Sequence, residues 1–179
     1  TKTVSLDAKM AGDIVYILGD THEELGGSEY FAMHDKVGVS VPEVDAETNA
    51  DIYRALSSAI QKDLIASAQS VNSGGLALAL TKTAMGGMLG MDISLHNLPG
   101  TAKRNDYALY SESQGRIVVT VSPDDKAQFE SIMGDNAFAE IGVIRDDDTF
   151  SMKSLDGNNL FDTSVSQLHQ SYKTTLRDY

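Results

Sequence analysis

The sequence predicts an α+β domain in which helices cover a mixed β-sheet. Two apolar runs rich in β-branched residues, 13–18 and 116–121, are typical of buried strands. Apolar residues from Ile52 to Leu64 recur at intervals of three and four, as they do on one face of a helix. Predicted strands and helices do not alternate regularly along the chain, which favours a mixed sheet over a purely parallel one.

The first half of the chain predicts one strand and two helices. The first strand ends at Gly19, where a glycine-containing loop begins. The helix with the periodic apolar face covers about 45–66. The turn 72–75 then leads into a largely buried helix over 76–85, which the glycines 86–87 are expected to end.

The second half begins with a short strand over 88–95, followed by a polar surface connection over 96–106. The strand 116–121 has the highest β-propensity in the chain. Ser122–Asp125 then supplies an N-cap serine, a proline at the first helical position and an acid three residues after the cap. This pattern predicts a helix that extends to about Met133.

The C-terminal part predicts a β-hairpin and a last helix. Two short strands, 140–144 and 149–152, flank the turn 145–148, so we expect them to pair with each other. A stripe of apolar residues predicts the last helix: Val165, Leu168, Tyr172 and Leu176. The predicted order of elements is therefore β-α-α-β-β-α-β-β-α.

The composition is that of a globular protein, with 41% hydrophobic and 22% charged residues. We expect residues 1–179 to form a single domain and, because the chain starts on Thr1 and not on Met, to be an excised piece of a longer protein. The net charge of −12 disfavours nucleic acid and anionic membrane surfaces as partners. No apolar run approaches the roughly 18 residues of a membrane-spanning helix.

Two glycine-containing loops are candidate anion sites. Gly26, Gly27, Ser28 and Glu29 expose backbone N–H groups that could hold an anion, although a simple turn has the same composition. The 72–75 loop opens a predicted helix, where N–H groups and the helix dipole both favour an anion. Ordinary capping by the side chain of Asn72 or Ser73 is the alternative for that loop.

A third candidate segment, 111–116, precedes the strand 116–121. It contains the polar residues Glu112 and Ser113 and the cation Arg116, which could face a phosphate group. The alternative is a surface turn in which Glu112 and Arg116 form a local ion pair.

Several kinds of site lack any motif. The sequence has no cysteine, and its histidines do not show the spacing of a zinc site. The acids of 146–148 lack the spacing and glycine of a calcium loop. P-loop, dinucleotide-binding and serine-hydrolase motifs are also absent. We therefore assign neither a catalytic residue nor a metal ligand to this chain.

Three motifs occur in order along the chain. Residues 19–30 read Gly-Asp-Thr-His-Glu-Glu-Leu-Gly-Gly-Ser-Glu-Tyr, 70–80 read Ser-Val-Asn-Ser-Gly-Gly-Leu-Ala-Leu-Ala-Leu, and 109–121 read Leu-Tyr-Ser-Glu-Ser-Gln-Gly-Arg-Ile-Val-Val-Thr-Val. A closing segment, 160–168, reads Leu-Phe-Asp-Thr-Ser-Val-Ser-Gln-Leu. Together they resemble the phosphoribosylformylglycinamidine synthase family, and within it the last domain of the synthetase subunit, a C-terminal domain of the aminoimidazole ribonucleotide synthetase superfamily.

The resemblance implies part of an ATP-dependent carbon–nitrogen ligase of purine biosynthesis, located in the cytoplasm. Such an enzyme converts formylglycinamide ribonucleotide to formylglycinamidine ribonucleotide with ammonia from glutamine. ATP and Mg²⁺ would be bound mostly by N-terminal-type domains that this chain lacks, so the isolated chain should be inactive and should need no cofactor. The implied partners are those N-terminal domains, a glutaminase subunit or domain, and a phosphoribosylated substrate.

The resemblance also implies which residues face the cleft between domains. The substrate-binding candidates lie in three segments: Gly26, Gly27, Ser28 and Glu29 in the first, Ser73, Gly74 and Gly75 in the second, and Glu112, Ser113 and Arg116 in the third. Where the family pattern is close to Ala-His-Asp-Val-Ser-Asp-Gly-Gly, residues 68–75 read Ala-Gln-Ser-Val-Asn-Ser-Gly-Gly. The histidine and both acids are missing. This puts in doubt a role for the loop as general acid, general base or metal ligand.

Other interpretations remain open. The chain could belong to another member of the same superfamily, of the selenophosphate synthetase, hydrogenase-maturation or thiamine-monophosphate kinase type. It could also be a non-catalytic structural or assembly domain. The Gly-Gly-Ser-Glu-Tyr motif favours the purine enzyme.

Overall fold

In the computed structural model, which describes residues 2–174, one mixed β-sheet is packed between two layers of helices. In chain order the elements are β1 (Ile14–Leu18), α1 (Glu29–Ala32), α2 (Ala46–Gln61), β2 (Ser67–Ser70), α3 (Gly75–Gly87), β3 (Met91–Ser94), α4 (Asn105–Tyr110), β4 (Ile117–Val121), α5 (Lys126–Met133), β5 (Phe138–Ile144), β6 (Thr149–Lys153), β7 (Asn159–Ser164) and α6 (Val165–Thr174).

The sheet has the strand order β2-β4-β1-β5-β3-β6-β7 within the described residues. Its neighbouring strands run antiparallel except β3 and β6, which are parallel. The predicted α+β class with a mixed, helix-covered sheet is therefore confirmed.

Side chains of the central strands alternate between two hydrophobic cores. Val15 and Ile17 of β1 belong to the core that also contains residues of α3, α4 and α6. Tyr16 of β1 lies on the opposite face, in the core that contains residues of α2 and α5. Because β1 is buried on both faces, its sequence is a continuous apolar run without alternation.

All nine predicted elements form, but several boundaries differ. Helix α2 begins after the N-cap Asp45, whose carboxylate accepts hydrogen bonds from Glu47 and Thr48 N–H, and it ends at Gln61 instead of near residue 66. Ser122 caps a short 3-10 turn that leads into α5, as its sequence predicts. Leu176, a member of the predicted last stripe, lies outside the described residues.

The predicted hairpin at 145–148 is wrong. Strands β5 and β6 do not pair, because β3 lies between them and bonds to both. The antiparallel partner of β6 is β7, which sequence reasoning missed together with β2 and the short helices α1 and α4. No helix in the 2–174 region is long and apolar enough to cross a membrane.

Candidate functional site

The three candidate segments meet at one edge of the sheet. In the antiparallel register, Leu18 at the end of β1 and Ser70 at the end of β2 are both aligned with Ile117 at the start of β4. The loops that follow β1 and β2 and the loop that precedes β4 therefore leave the sheet at the same place. The sequence motifs are distant in the chain but adjacent in space.

Glu112 links the first two loops. Its Oε1 accepts a hydrogen bond of 3.0 Å from the backbone N–H of Glu29 and one of 2.9 Å from the backbone N–H of Gly74. Gly74, and not Asn72 or Ser73, is the N-cap of α3, and as a glycine it has no side chain to accept a capping hydrogen bond. The predicted capping by Asn72 or Ser73 is therefore wrong. The carboxylate of Glu112 instead accepts the backbone N–H of Gly74 at the N-terminus of α3.

Arg116 is a buried cation that holds the third segment in shape. The residue is 1% exposed. Its Nε donates to Ser113 O at 3.1 Å, its Nη1 to Thr21 Oγ1 at 3.0 Å, and its Nη2 to Ser111 O. Burial lowers the pKa of Arg116 to about 10, against the opposing charges of Glu24 and Glu112, so the guanidinium stays charged at neutral pH.

The alternative of a local ion pair between Glu112 and Arg116 is also wrong. No salt bridge of Arg116 is found in the part of the chain that the structure describes, and its donors face backbone and hydroxyl oxygens. Glu112 instead accepts backbone N–H groups. Both side chains position loops of their own chain.

The glycines differ in what surrounds them. A Cβ on Gly75 would lie 2.5 Å from Leu109 O, and one on Gly26 would lie 2.6 Å from Ser40 O, so both glycines permit close approach of their own backbone. Gly27 has a φ of +72° and faces open space, since no atom lies within 4 Å of the position that a Cβ would occupy. Of these three glycines, Gly27 is the one with room for a ligand or a neighbouring domain.

The serines of the predicted site also differ in environment. Ser28 is buried, donates to Leu25 O at 2.7 Å and accepts from Phe31 N–H at 3.2 Å as the N-cap of α1. Ser113 is buried and accepts from the backbone N–H of His22 at 3.1 Å. Ser73 is exposed at the surface of the loop.

A pair of stacked tyrosines lies next to the first and third candidate segments. Tyr30 of α1 stacks on Tyr110 of α4, with ring centroids 4.5 Å apart and ring planes 3° from parallel. Burial raises the pKa of Tyr110, and Tyr30 adds to that shift. The stack joins the short helix after the first loop to the segment against which Gly75 packs.

Three buried polar residues at this edge lie in the motif 19–30 or the segment 111–116 but are not among the substrate-binding candidates. Thr21 accepts from Arg116, Ser111 Oγ accepts from the backbone N–H of Glu24, and Glu24 is 8% exposed. Oε1 of Glu24 accepts from Glu43 N–H, whereas Oε2 has no hydrogen-bond partner within the 2–174 region. Polar loop residues give no sequence signal that separates buried from exposed positions, so none of the three could be selected.

The site does not fit a metal ion. No group of three or more histidine or carboxylate side chains converges anywhere in residues 2–174. The Gly74 and Glu29 N–H groups that could receive a phosphate are both bound to Glu112. The arrangement holds the three loops together, and the described residues bring no cluster of metal ligands to it.

Comparison with known proteins identifies the architecture. Residues 10–154 match the family model described as "AIR synthase related protein, C-terminal domain". A curated relative, phosphoribosylformylglycinamidine synthase subunit PurL of Alkaliphilus metalliredigens (strain QYMF), is 28% identical over 180 residues, which is 99% of this chain and 24% of the relative. The chain thus spans about a quarter of the length of that relative.

Solved structures share the fold. Thermotoga maritima PurL complexed with FGAR superposes with a TM-score of 0.81 at 20% identity, covering 93% of this chain and 29% of that one. Escherichia coli HypE, a hydrogenase maturation protein, superposes with a TM-score of 0.64 at 16% identity. The superposition covers 88% of this chain and 50% of HypE. The resemblance inferred from the ordered motifs is confirmed by the family model and the PurL relative.

Proposed function

This chain belongs to the family of AIR synthase related protein C-terminal domains, and we propose that it is the C-terminal domain of a phosphoribosylformylglycinamidine synthase. Residues 1–179 would form one domain of a longer polypeptide. The observation that supports the proposal most is the match to a PurL subunit over 99% of this chain.

The proposed reaction replaces an amide oxygen of formylglycinamide ribonucleotide by nitrogen. ATP transfers its γ-phosphoryl group to the amide oxygen and ADP leaves. Ammonia, supplied from glutamine, adds to the amide carbon, and inorganic phosphate departs with the oxygen. Phosphorylation is needed because an amide oxygen is otherwise a very poor leaving group.

The role of this domain is to form one wall of the cleft in which that reaction occurs. The residues that we assign to the wall are Gly26, Gly27, Ser28, Glu29, Ser73, Gly74, Gly75, Glu112, Ser113 and Arg116. Glu112 and Arg116 act on the loops, since their polar atoms are bonded to this chain. The exposed Gly27, Glu29 and Ser73 are the positions at which substrate or a neighbouring domain can approach.

ATP and Mg²⁺ belong to other domains of the proposed synthase. The described residues bring together no metal-binding cluster, and the Gly74 N–H at the start of α3 is bonded to Glu112. The remaining partners of the proposal are the N-terminal ATP-binding domains, a glutaminase subunit or domain, and the phosphoribosylated substrate, in the cytoplasm. Neither nucleic acid nor a membrane is a partner in this proposal.

Steady-state kinetics of the full-length polypeptide test the proposal. We expect ATP-dependent formation of the amidine from formylglycinamide ribonucleotide and ammonium. Replacing Gly27 with tryptophan should raise the KM for that substrate or abolish turnover. Gly157→Trp is the matched control, because Gly157 also has a positive φ and open surroundings but lies in the turn between β6 and β7.

Two outcomes would favour another function. Turnover of a different substrate class by the full-length polypeptide would favour another superfamily member, such as the hydrogenase-maturation type whose fold this chain shares. Normal kinetics of Gly27→Trp beside the Gly157→Trp control would favour a purely structural or assembly domain.

A further inference from the structure

A row of exposed valines follows the first loop. Val37, Val39, Val41 and Val44 are 77%, 96%, 57% and 68% exposed, and we call these four residues the valine ridge. Four large apolar side chains left in water within eight residues cost free energy that a monomeric surface does not normally tolerate. An exposed apolar row of this kind marks an interaction surface.

The ridge is held in place by polar contacts to the candidate site. Ser40 O accepts from Gly26 N–H and Val37 O accepts from Gly27 N–H, both at 2.7 Å. Ser40 Oγ donates to Glu23 O at 2.7 Å. The carbonyls of Val37 and Ser40 thus anchor the segment to the first loop, and an anchored apolar surface loses little conformational entropy when a partner binds.

The backbone of the ridge retains free hydrogen-bonding groups. Within residues 2–174, no backbone hydrogen bond involves Val39 or Val41. The segment 37–41 belongs to no strand of the sheet, since Gly38 has a φ of +75° and Val39 lies at a bend. Exposed apolar side chains beside unpaired N–H and C=O groups suit a partner segment that supplies both apolar contacts and hydrogen-bonding groups.

An apolar groove continues the surface beyond the ridge. Val44 lines it together with Ala50 and Tyr53 of α2 and with Gly115 of the segment that precedes β4. Tyr53 is itself 47% exposed. The ridge and the groove therefore form one surface that borders the candidate site.

Resting on the proposed function, we infer that the valine ridge docks an extended apolar segment from another domain of the same synthase polypeptide. The PurL relative carries about three times as much chain beyond the matched region, since that region is 24% of its length, and in HypE the matched region is 50%. Because Gly27 N–H bonds Val37 of the ridge and Gly26 N–H bonds the intervening Ser40, a domain docked there lies beside the proposed cleft.

Hydrogen–deuterium exchange of the full-length polypeptide and of the 179-residue chain tests this inference. We expect the Val39 and Val41 amides to exchange about tenfold more slowly in the full-length polypeptide, because the docked segment accepts hydrogen bonds from them. Equal exchange in the two samples overturns the inference. Sedimentation velocity of the 179-residue chain should show a monomer, and a dimer dissociated by Val39→Asp/Val41→Asp assigns the ridge to a second copy and also overturns it.

Amide exchange and turnover, both measured on the full-length polypeptide, distinguish a failure of this inference from a failure of the proposed function. Val39→Asp/Val41→Asp should abolish the protection of the remaining ridge amides, whereas Tyr172→Asp, which changes an exposed apolar residue of α6, should not. Protected amides without synthase turnover refute the proposed function and leave the docking surface. Turnover with freely exchanging amides refutes the docking surface alone.

Discussion

The backbone N–H of Gly74 donates a 2.9 Å hydrogen bond to the carboxylate of Glu112, 38 residues further along the chain. The bond places a negative charge at the entrance of α3, where the helix dipole favours it. Because the same oxygen accepts Glu29 N–H, one side chain fixes two loops that the sequence suggests as anion sites.

Replacing Glu112 with alanine should lower the free energy of unfolding by about 1–3 kcal/mol, because two N–H groups lose a charged acceptor. Glu112→Gln should cost less, since its amide oxygen can still accept both bonds. Urea denaturation measures the difference. Asp146→Ala, which changes an exposed carboxylate in the turn between β5 and β6, is the control, and equal stability of the two alanine variants would contradict the assigned role of Glu112.

The glycines of the two loops should respond differently to alanine. Gly75→Ala forces a Cβ to within 2.5 Å of Leu109 O at a φ of +66° and should cost about 2–4 kcal/mol. Gly27→Ala has open space at a φ of +72° and should cost only about 1 kcal/mol. Thermal unfolding of both variants compares them. A Gly27 variant that is the less stable of the two would refute the described packing.

Arg116→Met should reduce the free energy of unfolding by about 2–4 kcal/mol, because buried oxygens of Ser111, Ser113 and Thr21 lose their donor. Lysine cannot supply the guanidinium fork and should restore only part of the loss. Arg54→Met removes an exposed arginine paired with Asp51 and should cost less than about 1 kcal/mol in the same denaturation experiment. If the two methionine variants lost similar amounts of unfolding free energy, the hydrogen bonds of Arg116 would not be important for stability.

The protein should become more stable at neutral pH when Asp13 is replaced by asparagine. Asp13 is 4% exposed, its Oδ2 has no partner within the described residues, and burial raises its pKa. The unfolded chain ionises near pH 4, so wild-type stability falls as the pH rises from there through the raised folded-state pKa. Asp13→Asn should therefore gain about 1–3 kcal/mol at pH 7 and nothing at pH 3. A gain of equal size at pH 3 and pH 7 would show that ionisation of the buried Asp13 carboxyl is not what destabilises the wild-type protein.

The sequence predicted those parts of the fold that local patterns determine. Continuous apolar runs identified β1 and β4, and the spacing of apolar residues identified α2, because burial leaves these periodicities in the chain. Strand β2 reads Ser-Ala-Gln-Ser and has no such pattern. It forms through pairing with β4, where Ser67 Oγ and Thr120 Oγ1 lie 2.7 Å apart.

Long-range pairing explains the error at 145–148. The acidic turn correctly predicts that the chain reverses, but turn residues do not specify which strand will be the neighbour. The parallel pairing of β3 with β6 separates the two expected hairpin strands. Similarly, the motifs placed Glu112 and Arg116 near the other loops, whereas their partners depend on side-chain geometry that only the fold supplies.

Isotope transfer tests the proposed synthase most directly. The full-length polypeptide would be given ATP, ammonium and formylglycinamide ribonucleotide labelled with heavy oxygen at the amide that ammonia replaces, and the released phosphate would be analysed by phosphorus NMR. We predict that each amidine formed delivers one labelled oxygen to inorganic phosphate. Absence of turnover, or turnover that releases unlabelled phosphate, would contradict the assignment of this chain to a phosphoribosylformylglycinamidine synthase.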